Sequence, residues 1–348
     1  MYAFNKMIEF NQANPESKEI YKKMQDWQLK HQPDTGVFCP SEEIYLMSPR
    51  LLSALVSHSH SKEKMPVINA QMLDLANYLY SLTVFGVWRN TLGVYRLDKE
   101  IYKQTITSKI PKDTPTTVFS RLPEWCVYIE LPPNTEVDIG SNNDQISMDG
   151  FWAYFDTQDF KTGKETVLNI MLNTGDKHSD LNRSMRPLQM YIRDDLTIEQ
   201  SINLVYGTTH TEQYADQLTL NALKIKDLEL ITTFLSQLLW LCAEEPDISN
   251  MNGEPVSAEQ MRMPKYRRHK KTGAFVPPSQ PIVYNIGKRL GGEVRQFNKE
   301  HGHSDSRASS RKRPHIRRGH WHGVWKGTGQ DKQFSIYWQP AIFVNTTL

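Results

Sequence analysis

Cysteine is scarce in this chain of 348 residues, which contains only Cys39, Cys126 and Cys242. These three lie far apart and show neither a CxxC motif nor a Cys/His ligand spacing, which argues against a disulfide framework or a structural zinc site. Long apolar runs are also missing, because no stretch approaches membrane-spanning length and residues 1–10 lack the features of a secretion signal. We therefore expect a cytoplasmic protein without a membrane anchor, a metal or another cofactor.

Helical periodicity is clear in several segments of a chain whose 39% hydrophobic and 23% charged residues are typical of globular proteins. Thr197, followed three positions later by Gln200, has the pattern of a capping box. The most apolar stretch, 228–242, is interpreted as the central helix of the core. The predicted helices cover residues 17–27, 67–97 as a kinked helix or helix pair, 197–206, 228–242 and part or all of 282–297.

Short segments that are dense in aromatic and β-branched residues, separated by polar turns, predict β-strands. The predicted strands of the main sheet cover residues 124–131, 151–155, 167–172 and 190–192. Near the C-terminus, the same texture at 321–326 and 334–338 predicts a hairpin. The predicted fold class is α+β, with helices, a mostly antiparallel sheet and a basic C-terminal β-hairpin module.

Charge is distributed very unevenly along the chain, although the net charge is only +2. Residues 262–332 carry 18 basic and 4 acidic residues, a net charge of +14, whereas the remainder carries 23 basic and 35 acidic residues, a net charge of −12. We predict an acidic α+β body at 1–245, a Pro/Gly-rich basic linker or arm at 246–281 and a basic C-terminal module at 282–348. Alternatively, the two regions neutralise each other within one fold.

The basic region combines fixed positive charge with aromatic rings, which is the chemistry that holds a phosphate backbone and stacks a base. One of the tryptophans Trp321 and Trp325 is expected to fill the hairpin core instead. RNA or DNA is therefore the predicted partner of this region, and the residues below are the candidates for RNA contact. The predicted RNA-binding residues are Lys265, Arg267, Arg268, Lys270, Lys271, Arg311, Arg313, Arg317, Arg318, Trp321 and Lys326.

Three histidines in the same region, His315, His320 and His322, are the candidate catalytic residues. On a strand, His320 and His322 would share one face while Trp321 points to the other. An imidazole pair beside cations could cleave a phosphodiester without a metal, with one ring as base, the other as acid and a cation stabilising the oxyanion. The same residues would equally form a binding surface or a structural element, and the residue types leave all three roles open.

Several stretches, spread in the same order over most of the chain, carry a resemblance to a known family. They are residues 88–97, 122–128, 239–248, 271–276, 313–323 and 338–345, the fifth reading Arg-Pro-His-Ile-Arg-Arg-Gly-His-Trp-His-Gly. Together they resemble the second described family of type V-A anti-CRISPR proteins. The departures lie mainly at 144–190 and at the N-terminus, and they bear on target preference rather than on general activity.

The resemblance implies a mobile-element protein that lowers production of the CRISPR effector nuclease. Members are understood to recognise the N-terminal part of the nascent effector chain and to trigger loss of its messenger RNA. The implied partners are the nascent effector polypeptide, the messenger or the ribosome, and a host ribonuclease if the protein is a non-enzymatic adaptor, which we favour. The alternative is a sequence-nonspecific RNA-binding protein or ribonuclease that uses the C-terminal His/Arg cluster. The sequence does not identify the peptide-binding residues.

Overall fold

The computed structural model describes residues 2–31, 36–59, 70–138, 145–160, 163–174, 188–208, 217–263, 265–301 and 315–344. The helices within these ranges are α1 (Tyr2–Ala13), α2 (Ser17–His31), α3 (Ser41–Met47), α4 (Pro49–Ser59), α5 (Ala70–Trp88), α6 (Lys99–Thr105), α7 (Ile198–Thr208), α8 (Gln217–Cys242), α9 (Ala258–Arg262) and α10 (Lys288–His301). The strands are β1 (Gly93–Leu97), β2 (Cys126–Asp138), β3 (Gln145–Phe160), β4 (Gly163–Thr174), β5 (Leu188–Tyr191), β6 (Ile248–Asn250), β7 (Arg267–Arg268), β8 (Phe275–Val276), β9 (Ile282–Ile286), β10 (His315–Arg317), β11 (His320–Lys326), β12 (Gln333–Gln339) and β13 (Ile342–Val344).

Seven strands form the main sheet, in the order β5-β4-β3-β2-β1-β9-β6. Strands β2, β3, β4 and β5 pair antiparallel in sequence order, which confirms the predicted run of antiparallel strands. The register of β2 against β3 shifts between Glu130 and Thr135, where Pro132 and Pro133 interrupt the strand. Proline has no N–H to donate to a sheet ladder, so an irregularity at this point is expected. The observed α+β class agrees with the prediction.

Strand β1 lies near the middle of the sheet and corrects the prediction of helical structure as far as residue 97. It pairs in parallel with β2 on one side and with β9 on the other. Helix α5 ends at Trp88, and the chain turns at Leu92, whose φ is 49°. Four of the five residues of β1 are buried. A short strand that is buried on both faces lacks the alternation that separates strand from helix in a sequence.

The segment predicted as a linker and the start of the predicted C-terminal module both contribute strands to this sheet. Strand β9 pairs with β1 over its whole length, and β6 pairs antiparallel with β9. Residues 282–286 are thus extended, and the helix predicted over 282–297 begins only at Lys288, after Gly287 with φ +71°. The main sheet therefore combines strands from all three predicted parts of the chain: β1 to β5 from 1–245, β6 from 246–281 and β9 from 282–348.

Helices cover both faces of the sheet, which explains why its central strands are apolar on both sides. One core cluster joins Val127 and Ile129 of β2 to Phe234 and Leu238 of α8. The opposite cluster joins the alternate residues of β2 to α2 and α5, and includes Trp88 and Trp152 with centroids 6.1 Å apart. The three cysteines are buried as free thiols in these two clusters. Burial raises the pKa of the Cys242 thiol to about 12.

Candidate nucleic-acid interface

The hairpin formed by β11 and β12 presents one polar and one aromatic face. His320 pairs with Gln339, His322 with Tyr337 and Lys326 with Gln333. His320, His322 and Lys326 are exposed, whereas Trp321 between the two histidines is buried. This alternation confirms the prediction that the two histidines share a face opposite Trp321.

A cluster of three tryptophans holds the aromatic face of this hairpin against the body. Trp321 and Trp338 lie opposite each other with centroids 5.0 Å apart, and Trp240 of α8 lies 5.3 Å from Trp321 and 5.0 Å from Trp338. Trp321 is only 3% exposed, and its indole N–H donates to Ser236 Oγ at 2.9 Å. Its ring is therefore not available to stack on a base, which corrects its assignment as an RNA-binding residue.

Trp325 is the exposed tryptophan of the hairpin, with 44% of its surface accessible. Its indole N–H donates to Asp113 at 3.0 Å, and its ring meets Phe334 edge-on with centroids 5.2 Å apart. The sequence predicted that one of the two tryptophans fills the core, and the structure shows that it is Trp321. Trp325 therefore takes its place as the candidate for aromatic contact with a base.

Polar contacts between distant parts of the chain fix the hairpin in place. Gln104 of α6 accepts the Gly319 N–H at 2.9 Å, and Ser108 accepts the Trp321 backbone N–H at 3.1 Å. Arg121 donates to Glu244 at 2.9 Å and also to the Phe334 carbonyl. Because these donors and acceptors come from the body, the exposed face of the hairpin has a fixed position on the molecule.

The remaining C-terminal candidates lie next to this hairpin. His315 and Arg317 are exposed on β10, which pairs antiparallel with β13. Phe343 of β13 stacks on Phe297 of α10 with centroids 4.8 Å apart, which attaches this ribbon to the body. Arg318 is exposed in the connection to β11. The candidates Arg311 and Arg313 lie outside the described residues.

The other predicted cations gather on a second, smaller hairpin formed by β7 and β8. His269 donates its N–H to Ala274 at 2.8 Å, and Gly273, with φ +69°, donates to the His269 carbonyl at 2.9 Å. Lys270 and Lys271 occupy the exposed turn, and Arg267 is exposed on the strand before it. This arrangement presents several cations to solvent without a nearby carboxylate partner among the described residues.

Aromatic packing anchors the base of this second hairpin. Tyr266 stacks on Trp125 with centroids 4.6 Å apart and planes 18° from parallel, and Phe275 meets Trp125 edge-on at 5.5 Å. The Arg268 guanidinium lies 4.9 Å from the centre of the Phe275 ring. Lys265 is half-buried and donates to the Gln260 carbonyl at 2.9 Å. Of the predicted RNA-binding cations in the described ranges, Lys265, Arg267, Arg268, Lys270 and Lys271 thus lie on or next to the second hairpin, whereas Arg317, Arg318 and Lys326 lie on the C-terminal ribbon and hairpin.

One ionisable residue beside this second hairpin was missed by the sequence reasoning, which treated Glu124 only as the start of a strand. Its Oε1 accepts the Tyr95 hydroxyl at 2.5 Å, and its carboxylate lies directly against Gly93. Burial raises the pKa of Glu124, an effect opposed by Thr91, Tyr95 and Lys265. The available signal was a glutamate between Pro123 and Trp125, a charged residue inside an otherwise apolar strand start.

The described part of the chain offers neither a metal site nor a helix that could span a membrane. Among those residues, no three or more His, Cys, Asp or Glu side chains gather in a way that could hold a metal ion. Asp156, at a strand position where a carboxylate could serve as a ligand, instead accepts the N–H groups of Ser41 and Thr157 at 2.9 and 2.8 Å. None of the helices in the described ranges combines the length and the hydropathy that a bilayer span requires.

The whole fold resembles that of a protein of known structure. A solved structure titled "Crystal structure of AcrVA2" superimposes with a TM-score of 0.75 and 34% sequence identity, and the match covers 99% of this chain and 99% of that one. Among curated proteins, nothing matches. The class defined by this fold is that of the anti-CRISPR proteins directed against type V-A systems.

Within that class the family is also established. The sequence profile of the AcrVA2-like family, described as the anti-CRISPR type V subtype A2 family, matches residues 95–346. The chain belongs to this family. The matched region begins within β1 and extends past β13, so it contains both basic hairpins and all of the main sheet except the first two residues of β1.

Proposed function

We propose that this protein lowers production of the type V-A effector nuclease by recognising the N-terminal part of the nascent effector chain and triggering loss of its messenger RNA. Membership of the anti-CRISPR family, with 34% identity over 99% of both chains, is the observation that carries this proposal. The cytoplasm, where the effector is translated, is the proposed location.

RNA contact is proposed for the two basic hairpins. Residues 262–332 carry a net charge of +14, and both hairpins display their cations on surfaces that aromatic clusters hold in place. Neutralised phosphates release counterions, so clustered lysines and arginines give strong attraction that does not depend on sequence. The acidic remainder of the chain, with its net charge of −12, is proposed to hold the emerging effector peptide.

We further propose that the protein is an adaptor that leaves RNA cleavage to a host ribonuclease. His320 and His322 lie side by side on an exposed strand face. An efficient acid and base pair operates in a preorganised, desolvated site, and an open strand face does not exclude water. Their alternative role in intrinsic cleavage is tested by incubating the pure protein with effector messenger, which is expected to remain intact with wild type and with His320→Ala. Cleavage that disappears in His320→Ala would establish a ribonuclease.

The test of peptide recognition uses the effector gene with its first codons read in two frames. Compensating frameshifts change the N-terminal peptide and leave the messenger nearly unchanged. In cells that contain the full-length protein, effector messenger is expected to fall for the native frame and to persist for the shifted frame, as measured by quantitative hybridisation. An equal fall in both frames would mean that the RNA, and not the peptide, is recognised.

The test of RNA contact replaces three cations of the second hairpin, in the variant Arg267→Gln, Lys270→Gln, Lys271→Gln. Each lost phosphate contact reduces the slope of log affinity against log salt by about 0.7 for single strands, so a reduction of about 2 is expected. The matched control replaces three exposed lysines of α2, Lys18, Lys22 and Lys30, by glutamine. Equal salt slopes for the two variants would remove the second hairpin from the RNA-binding surface.

A further inference from the structure

A cleft of about 510 Å³ lies between the tip of the β11–β12 hairpin and the body of the protein. The hairpin side is lined by Trp325, Lys332, Gln333 and Phe334. The facing wall consists of Pro115, Thr117, Val118, Arg121 and Asp194. The volume lies within the range of small-molecule sites, which is enough for one nucleotide.

Trp325 is the exposed aromatic ring of this cleft. It shares a face of β11 with Trp321, but Trp321 is buried against α8 whereas Trp325 is 44% exposed. The indole N–H of Trp325 donates to Asp113 at 3.0 Å, a contact at the edge of the ring. Phe334, its partner across the hairpin, meets the ring with planes 66° apart. These contacts hold the ring in one orientation while much of its surface stays accessible, so a flat ligand can stack there without reordering it.

The charges in the lining determine how a nucleotide would lie. Lys332 on the hairpin side and Asp194 on the body side are exposed, and neither has a hydrogen-bond or ion-pair partner among the described residues. Arg121, the other cation of the lining, is already paired with Glu244 at 2.9 Å. A phosphate would be attracted to Lys332 and repelled by Asp194, whose carboxylate can instead accept an N–H group of a base.

The second hairpin differs from this arrangement, because its aromatic rings are engaged with one another. Tyr266 stacks on Trp125 and meets Phe275 edge-on with centroids 5.3 Å apart. The Arg268 guanidinium lies 5.4 Å from the centre of the Tyr266 ring and 4.9 Å from that of Phe275. None of these three rings is exposed. The second hairpin therefore offers cations to phosphates, but none of these rings to a base.

We propose that the cleft binds one unpaired base of a single-stranded RNA. The base stacks on Trp325 with an N–H group towards Asp194, and its phosphate lies near Lys332. Bases inside a duplex are covered on both faces by their neighbours, so an unpaired base is required. Each of the four bases carries an N–H donor, so the cleft selects the unpaired state and not a particular base. The inference rests on the RNA contact proposed for the C-terminal hairpin, and it adds the form of RNA that binds there.

The first test compares a nonamer of uridines with a stable abasic nonamer, which has the same backbone charge but no bases. The full-length protein is expected to bind the uridine strand about 5- to 150-fold more tightly in fluorescence anisotropy, the range for one stacked base. Trp325→Ala should lower the affinity for the uridine strand to that for the abasic strand. Trp325→Phe keeps a ring without the N–H bond to Asp113, and it should retain most of the difference.

Control variants show whether the effect belongs to the cleft. Tyr2→Ala removes a ring that is 64% exposed on α1, and it should leave both affinities unchanged. The second-hairpin variant Arg267→Gln, Lys270→Gln, Lys271→Gln should weaken both strands equally, because its cations contact phosphates. Lys332→Gln alters an exposed side chain and should reduce the salt slope for the uridine strand by about 0.7. Thermal melting establishes that each variant is folded.

A nine-base-pair RNA duplex tests the requirement for an unpaired base. Trp325→Ala is expected to leave the affinity for the duplex unchanged. A loss for the duplex as large as that for the uridine strand would overturn this requirement. Equal affinity of wild type for the uridine and abasic strands, or a difference that Trp325→Ala retains, would overturn the proposal as a whole.

A peptide of the first residues of the effector is the probe for the competing class of ligand. If its binding depended on Trp325 while the uridine strand bound no better than the abasic strand, the cleft would be a peptide site and the proposal would be wrong. Failure of the effector messenger to fall in cells would contradict the proposed function and leave these RNA affinities unchanged, so the two failures are separable.

Discussion

Gly319 shows at the scale of a single residue how closely the C-terminal hairpin approaches the body. A Cβ atom at this position would lie 2.6 Å from Trp338 Cζ2 and 2.9 Å from Gln104 Oε1. Trp338 packs against Trp240 and Trp321 in the tryptophan cluster, so moving its ring away would disturb both contacts. We expect Gly319→Ala to lower the free energy of unfolding by about 1–3 kcal/mol, as overpacking in a tight site does. Urea denaturation measures this loss.

A matched glycine on α10 provides the control. A Cβ atom at Gly292 would meet only Arg295 Nη2, at 4.0 Å. Alanine favours a helix interior over glycine, so Gly292→Ala should raise the free energy of unfolding by about 0.5–1 kcal/mol. Losses of similar size in both variants would mean that contact with Trp338 is not the reason for glycine at 319.

Glu124 marks the limit of sequence reasoning at this scale. The basic residues of the two hairpins could be identified from charge alone, because their exposure follows from their chemistry. The environment of Glu124 depends on Gly93 and Tyr95 of β1 and on Lys265, which are distant from it along the chain. The glutamate between Pro123 and Trp125 is an unusual charge at the start of an apolar strand, but a local pattern does not show which distant residues surround it, so its partners were found only in the folded chain.

At the scale of elements, the β11–β12 hairpin could be predicted, but the roles of its two tryptophans depend on α8. Trp321→Ala removes a ring that packs on Trp240 and Trp338, and it should lower the free energy of unfolding by about 3–5 kcal/mol. Trp325→Ala removes an exposed ring and should cost less than about 1 kcal/mol. Chemical denaturation of both variants measures the difference.

RNA binding by Trp325→Ala tests whether the exposed ring of Trp325 contacts RNA or serves only to pack on the hairpin. If Trp325 stacks on a base, Trp325→Ala should weaken binding of single-stranded RNA by about 1–3 kcal/mol while the protein stays folded. RNA affinity that is unchanged in Trp325→Ala would leave this ring with only its contacts to Asp113 and Phe334.

Strands β1 and β9 are the part of the main sheet that the sequence patterns did not predict. Both are five-residue strands that adjoin a helix, β1 after α5 and β9 before α10. Apolar residues of a short central strand continue the apolar pattern of the neighbouring helix, so periodicity alone does not separate them. The antiparallel strands β2 to β5 were predicted because turns and β-branched residues set each apart.

At the scale of the whole molecule, the acidic and basic regions interlock. Arg295 of α10 donates to both carboxylate oxygens of Asp98 at 2.8 Å, and Arg262 forms an ion pair with Glu244 at 3.3 Å. Some charge of the basic region is therefore compensated within the fold. The cations of the two hairpin surfaces remain exposed, so neutralisation within the fold is only partial.

Truncation tests whether the acidic region can stand alone. A chain that ends at residue 281 lacks β9. Strand β1, which lies inside the sheet in the full chain, would then become an edge strand. We expect this fragment to show no cooperative thermal transition and to be digested rapidly by protease, because buried backbone groups of β1 would lose their partners. A cooperative transition like that of the full chain would show that residues 1–281 form an independent domain.

The parallel pairing of β1 with β9 also determines when this protein can become active. The two strands are about 190 residues apart in the sequence, so the ribosome adds all the intervening residues before β1 meets its second neighbour. Pairing over such a separation is slow, and an unpaired edge invites association with other chains in the interval. A protein proposed to act on another chain during its synthesis thus completes its own main sheet only long after β1 has been made.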